Sequence, residues 1–368
     1  MKILVINPGG SSTKIAIFQI DSKIARFKYA KISKPANYKI KKVFEETIRH
    51  PIDELKKFRS VLDQFQFRKD LVVQAVAQEN FDFVATRGGP LKPLPSGTYR
   101  VTHKVVSDIK TGKVQSLHPS LLGSLIGYEI AQARKVKAYF VDPESVDEFM
   151  PIARISGLPE ISRKSLSHFL NTNAVVRKAA IKLNRKINQS NFIIAHLGSG
   201  ITIAAKEKGK QIDANNANED GPFSPSRTGC LPLPGVIEMC YNKKYSKQDM
   251  LDKIQRKGGL FAYLGTDNIP EIEKRIKNGD KKAELVYNAM IYQIAKEIGS
   301  MYVALKGKVS AIIITGGIAY QKNLVRRLKN WIKFLGALIL VFPGEQEMSA
   351  LAEGVVRVLL KIEKVKKY

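Results

Sequence analysis

At 368 residues the chain is too long for one compact core, and at about 150 residues per domain it is expected to fold as about two. Its 44% hydrophobic and 26% charged residues exclude wholesale disorder, and two cysteines, Cys230 and Cys240, are too few for a disulfide framework or a cysteine-rich zinc module. The 61 Lys and Arg against 33 Asp and Glu give +28, a field that attracts anions, but with no block of about five or six consecutive basic residues to act as a nucleic-acid or membrane tail.

The chain opens on a short apolar strand at 3–7, a Gly/Ser turn and a second strand at 14–19. That opening reads as structure rather than as a targeting segment, and no apolar run approaches the ~20 residues of a spanning helix, so a cytoplasmic protein is expected. Helical patterns follow at 53–65 and 68–78, then a strand at 83–86, a helix at 119–134, a strand at 138–141 and a helix at 166–183. Strands at 192–196 and 201–205 come next, then helices at 248–254, from about Pro270, and at 281–305. In the last of these Tyr287, Met290, Ile291, Ile294 and Ile298 form a stripe that reads as core. A strand at 311–315 runs into Gly316-Gly317 and a helix, and a strand at 338–342 precedes a final helix at 350–362. Alternation of strands and helices on this scale argues for an α/β architecture.

One plan occurs twice. Residues 3–18 are strand, Gly/Ser turn, strand, and residues 192–205 repeat it, with Asn7 against His196, Gly9 against Gly198 and Ser11 against Gly200. A third short strand follows each copy, at 25–29 and at 211–214. The repeat predicts a duplicated domain with a nucleotide held between the halves.

Neither the P-loop nor the Rossmann fingerprint occurs. Gly9-Gly10-Ser11-Ser12-Thr13-Lys14 nevertheless combines open backbone amides, hydroxyls and a cation, the parts of a phosphate turn; a plain tight turn would use the same residues. Gly316-Gly317 after a strand and Gly258 to Asp267 before a helix are further glycine turns. Arg87 and Asp142 stand just after strands, where α/β sites form; His168 lies near a helix start and Arg227 in the turn at 220–229. Taken singly, a surface arginine, a capping aspartate or a core histidine accounts for each.

These segments together resemble the acetate/butyrate kinase family, nearest its butyrate branch. The resemblance is carried by Ile6-Asn-Pro-Gly-Gly-Ser-Ser-Thr-Lys-Ile-Ala-Ile17, Arg87-Gly-Gly-Pro-Leu-Lys-Pro-Leu-Pro-Ser-Gly-Thr-Tyr99, Val141-Asp-Pro143, Arg163-Lys-Ser165 with His168, and Ala195-His-Leu-Gly-Ser-Gly200. It continues through Asp220-Gly-Pro-Phe-Ser-Pro225, Gly258-Gly-Leu-Phe-Ala-Tyr-Leu-Gly-Thr266, Thr315-Gly-Gly-Ile-Ala-Tyr320 and Phe342-Pro-Gly-Glu345. It implies the two-domain actin-like (ribonuclease H-like) ATPase fold, with duplicated mixed sheets flanked by helices: domain I at 1–143 plus 348–368, domain II at 144–347. It implies Mg²⁺-dependent, reversible phosphorylation of a short-chain carboxylate by ATP, butanoate foremost, giving butanoyl phosphate and ADP in a homo-oligomer, with no nucleic-acid or membrane partner. A branched-chain, propionate or acetate kinase of the same family, or a non-catalytic ATP sensor on the same fold, are the alternatives.

The resemblance also assigns residues. Arg87, Asp142, His168 and Arg227 are the catalytic set, with the two arginines on the carboxylate and the transferring phosphoryl group. Asn7, Ser11, Ser12 and Lys14 are implied for the phosphates, and Asn7 and Glu347 for the metal. His196, Gly198, Gly200, Asp267, Gly316 and Gly317 are implied for the nucleotide. Gly10 stands where the family usually carries serine, and Ser167 where it generally has phenylalanine; the smaller residue implies an acid pocket open to longer or branched chains.

Overall fold

The computed structural model describes residues 1–20 and 39–368, which divide into two compact units, Met1–Asp147 with Gln346–Tyr368, and Glu148–Glu345. In chain order the first unit contains β1 (Lys2–Pro8), β2 (Ser12–Ile20), β3 (Ile40–Arg49), α1 (Phe65–Ala75), β4 (Phe83–Thr86), β5 (Thr98–Arg100), α2 (His103–Lys110), α3 (Leu122–Ala133) and β6 (Lys137–Val141). The second contains α4 (Phe169–Lys182), β7 (Asn191–Leu197), β8 (Ile201–Glu207), β9 (Lys210–Ala214), α5 (Leu233–Tyr241), α6 (Lys247–Gln255), α7 (Gly259–Leu264), α8 (Ile269–Lys277), α9 (Lys281–Ala304), β10 (Ala311–Gly316), α10 (Lys322–Ile332) and β11 (Ile339–Pro343). The chain then returns to the first unit as α11 (Glu347–Leu359).

The two sheets share a plan. Their strand orders are β3-β2-β1-β4-β6-β5 and β11-β10-β7-β8-β9. Read outward from β1 or β7, each has two antiparallel neighbours on one side and two parallel strands on the other; β5 is an extra antiparallel edge in the first. The repeat seen in the sequence is therefore a repeat of topology, with β1 equivalent to β7. Ile3 to Ile6 and Phe192 to Ala195 are all 0% exposed, because helices cover both faces of a mixed sheet and its central strands must be apolar throughout.

The last helix of each plan is exchanged. The helix after β6 is α4, which packs on β7 and β10 of the second unit, and the helix after β11 is α11, which packs on β1, β4 and β6 of the first. At Gly354 of α11 a Cβ would lie 2.4 Å from a Val141 methyl, so the glycine sets how closely the helix approaches β6. The α9 stripe is core as expected, with all five of its residues at most 1% exposed.

Three expectations change, and a fourth falls outside the described residues. The helix expected at 53–65 is interrupted: Ser60 and Asp63 exchange side chain–backbone bonds (Ser60 N–H to Asp63 Oδ2 at 2.8 Å, Asp63 N–H to Ser60 Oγ at 3.3 Å), a capping box that starts a new helical segment running into α1. α4 begins at Phe169 rather than 166, with His168 as its first flanking residue. The final helix begins at Glu347, three residues earlier than expected, which puts that carboxylate in the first turn. The strand expected at 25–29 lies outside the described residues. The third-strand place in the first sheet is taken by β3, a charged edge strand whose apolar residues Phe44 and Ile48 are only half-buried, so it carries little hydrophobic signal.

Candidate active site

In the first unit, Asn7 is the penultimate residue of β1, Arg87 follows β4 and Asp142 follows β6. These are the C-terminal ends of three adjacent parallel strands, where helices and loops leave room for a ligand. Glu347 in the first turn of α11 joins them: its Oε2 accepts from Asn7 Nδ2 at 2.9 Å and from Arg87 Nη1 at 2.6 Å. Arg87 Nη2 pairs with Glu144 at 2.9 Å, so two carboxylates fix the plane of the guanidinium. Burial alone would raise the Glu144 carboxyl, but the charges of Arg87 and His118 and a bond from Ser120 outweigh it and hold the group below the usual carboxylate range. Glu144 was not legible as a site residue; it follows Asp142-Pro143 with no periodic or motif signal of its own.

Asp142 is buried and adopts φ +41°, a backbone region disfavoured for residues other than glycine, Asn and Asp. Its Oδ1 accepts from the Gly97 N–H at 2.8 Å while its own N–H donates to the Gly97 carbonyl at 2.9 Å, so the carboxylate pins the 95–97 turn against the strand end. In the β1–β2 turn, Ser11 and Lys14 are exposed and Ser12 half-buried. Behind Ser11 and Ser12 a cavity of about 500 Å³ is lined by Thr47, Arg49 and His50.

The second unit repeats the layout with different chemistry. His196 is the penultimate residue of β7, Gly316 ends β10, and Gly344 follows β11, again three adjacent parallel strands. The His168 and His196 rings stack at 4.1 Å, 13° from parallel. His168 Nδ1 is 2.8 Å from Thr202 Oγ1, and Asn171 Nδ2 donates to His196 Nδ1 at 2.8 Å. The Arg227 side chain crosses the second glycine turn so closely that a Cβ at Gly200 would lie 2.5 Å from its Nη1, and that nitrogen donates to the Ala217 carbonyl at 3.2 Å. Ser224 Oγ, which bonds the Ser199 carbonyl, also accepts from the Arg227 N–H at 3.1 Å and ties the 220–229 turn to the 198–200 turn.

Gly316 has φ +90°, and a Cβ there would lie 2.3 Å from the Leu197 carbonyl oxygen; at Gly317 a Cβ would meet nothing within 4 Å, so the backbone is open on that side. The segment after it, expected as a helix directly, is one 3₁₀ turn (Gly317–Tyr320) before α10. Beside this turn lies a cavity of about 500 Å³ lined by Ala319, Tyr320, Val325 and the cations Lys322, Arg326 and Lys329. Asp267 is exposed in the turn before α8. Ser167 is buried, its hydroxyl 3.1 Å from Gln211 Nε2 on β9.

The model of the acetokinase family matches residues 163–350. Over 373 aligned positions the chain is 43% identical to butyrate kinase 2 of Clostridium acetobutylicum, covering 100% of this chain and 99% of that protein. The chain belongs to the acetokinase family. Solved structures similar to it include acetate kinase of Porphyromonas gingivalis (TM-score 0.72, 17% identity, 96% of this chain and 99% of that one) and a propionate kinase of Francisella tularensis (TM-score 0.69, 20% identity, 96% and 98%). At those identities the likeness establishes the fold: two mixed sheets flanked by helices, the duplicated actin-like ATPase plan of the acetokinase family.

Proposed function

We propose that this acetokinase-family chain transfers the γ-phosphoryl group of ATP reversibly to the carboxylate of a short-chain acid, with butanoate as the acid. The observation that carries the reading is the likeness to butyrate kinase 2 along the whole length of both chains. A carboxylate oxygen forms a bond to the γ-phosphorus, the bond to the β,γ-bridging oxygen breaks, and ADP leaves with the electron pair. The nucleophile is already ionised, so no proton has to be removed. The obstacle is bringing an anion against a polyanion, and it is met by positioning and positive charge.

In this reading the Arg87 fork, aimed by Glu144 and Glu347, serves the first unit's part, and Arg227, locked across Gly200, serves the second's. His168, whose Nδ1 is engaged by Thr202, donates to a phosphoryl oxygen through Nε2. The open Gly317 backbone and the cavity beside Tyr320 suit the nucleotide, with Lys322, Arg326 and Lys329 at its rim. Asp142 acts by holding the 95–97 turn.

Among the described residues no group of three or more His, Cys, Asp or Glu forms a metal cage. Asn7 and Glu347 offer hard oxygens, the donor set of an ion that keeps most of its water and takes the rest of its ligands from phosphate, so the residues fit Mg²⁺. Bound there, the ion would neutralise charge on the β- and γ-phosphate oxygens. The assembly proposed is a homo-oligomer. It is supported by α5, which has no buried residue and exposes Leu233, Ile237 and Tyr241, and light scattering on the purified chain would read it.

Hydroxylamine trapping of the acyl phosphate from Mg-ATP and a panel of acetate, propionate, butanoate, isobutanoate and pentanoate tests the function. The highest kcat/KM is expected with butanoate, with neighbours close behind because a buried methylene is worth only about 0.8 kcal/mol. Arg87→Met and Arg227→Met should each lower kcat by about 100-fold or more in folded protein. Hydroxamate from none of the acids would refute the function, and full turnover in both variants would refute the arginine roles.

A further inference from the structure

The turn between β1 and β2 is held from beneath by a residue that no motif marks. Arg68, on α1, is 0% exposed. Its Nη1 donates to the Gly9 carbonyl and its Nη2 to the Gly10 carbonyl, both at 2.8 Å; 3.4 Å contacts from Nη1 reach the Ser12 carbonyl and Thr13 Oγ1. Gln64, one helical turn earlier, accepts from Nε at 3.0 Å and from Nη2 at 2.8 Å. The Ser11 carbonyl accepts from the His50 N–H at 2.8 Å, and the Ser12 carbonyl from the Gly9 N–H at 2.7 Å. Every carbonyl from Gly9 to Ser12 is thus engaged within the protein, while the Gly10 and Ser11 amides have no acceptor among the described residues.

The electrostatics point the same way. Among the described residues all the acceptors of Arg68 are neutral oxygens, so the buried guanidinium has carbonyl, amide and hydroxyl dipoles there but no carboxylate to balance it. His50, bonded to Thr13 at 2.9 Å, adds no charge at neutral pH, since burial and the Arg68 charge push it down to about 4. A buried cation without a counter-charge is unfavourable, and an anion seated on the amide side of the turn would supply one.

We propose that Arg68 is a positioning residue for the terminal phosphates of the nucleoside triphosphate: it draws the Gly9, Gly10 and Ser12 carbonyls inward, leaves the Gly10 and Ser11 amides to the phosphoryl oxygens, and has its charge balanced when those phosphates bind. The inference deepens the proposed function, resting on the β1–β2 turn being its phosphate loop. It separates Arg68 from Arg87, which is already flanked by Glu144 and Glu347.

The test compares wild type with Arg68→Lys, which keeps a charge but not the fork, Arg68→Met, which keeps bulk alone, and Arg68→Ala. In each variant that folds, KM for Mg-ATP should rise about tenfold or more while KM for the acid stays within about twofold. Millimolar guanidinium should restore KM for Mg-ATP in Arg68→Ala, and ammonium should not. The rise in melting temperature on adding Mg-ATP should shrink in every variant. ATP and acid constants that move together, no selective guanidinium rescue, or an unchanged Mg-ATP melting shift would each overturn the inference while wild-type acyl phosphate formation stood. Should wild type form no acyl phosphate, the function fails first, and the Mg-ATP melting shift of wild type against Arg68→Lys still decides the role of Arg68.

Discussion

Glycines of the two turns that end the central strands have different physical reasons to be there. Gly316 has φ +90° and faces the Leu197 carbonyl at a distance no Cβ can occupy, so Gly316→Ala should cost about 2–3 kcal/mol of stability. Gly10 has open space around its missing Cβ and is not among the glycines of positive φ, so Gly10→Ser, the residue usual in the family, should fold within about 0.5 kcal/mol of wild type. Urea midpoints of the two variants check both numbers; equal losses would mean that the turns are constrained alike. Ser167 has a related lesson. It is buried and its hydroxyl oxygen accepts from Gln211 Nε2 on β9, a bond that the phenylalanine usual in the family could not make.

The β2–β3 pair and α1 meet behind the first turn, and one histidine makes their packing sensitive to acid. His50, directly after β3, is 2% exposed and packs edge-on against Phe67 at 5.6 Å. Burial, and then Arg68, lower its pKa to about 4 from the ordinary 6.5, so the unfolded chain binds a proton that the folded one refuses. Stability is therefore complete above about pH 6.5 and falls as the pH drops toward 4, by about 3 kcal/mol over that window. Urea titrations at pH 7 and pH 4.5 should show the loss in wild type, and His50→Gln should lose less over the same interval. A variant with the undiminished pH slope would place the acid sensitivity elsewhere.

For the molecule as a whole, a net charge of +28 over a chain whose proposed substrates are anions predicts electrostatic steering. With Mg-ATP, kcat/KM should fall by about tenfold or more between 20 mM and 300 mM sodium chloride, as screening shortens from about 20 Å to below 8 Å. The decline should lie in KM rather than in kcat, since residues within hydrogen-bond distance are screened far less. Rates independent of salt would show that the excess lysines do not face the route of approach.

Much of the architecture was legible from the sequence. Central strands buried on both faces must be continuous apolar runs, so β1, β7 and β10 stand out, and the glycine turns that follow them repeat because the topology repeats. The edge strand β3 was not legible, since an exposed strand needs no apolar pattern, and the break before α1 depended on a four-residue capping box inside a helical-looking stretch. The partners of the site residues escaped for a different reason. Glu144 orients Arg87 across 57 residues, and Arg68 grips a turn 58 residues earlier, through bonds that leave no local periodicity. Residue order alone determined the central strands, the glycine turns after them and the long helices, because those preferences act over a few neighbours. Which charge lies beneath which turn was decided only when sheet and helices packed, because a hydrogen bond depends on distance in space and carries no record in spacing along the chain.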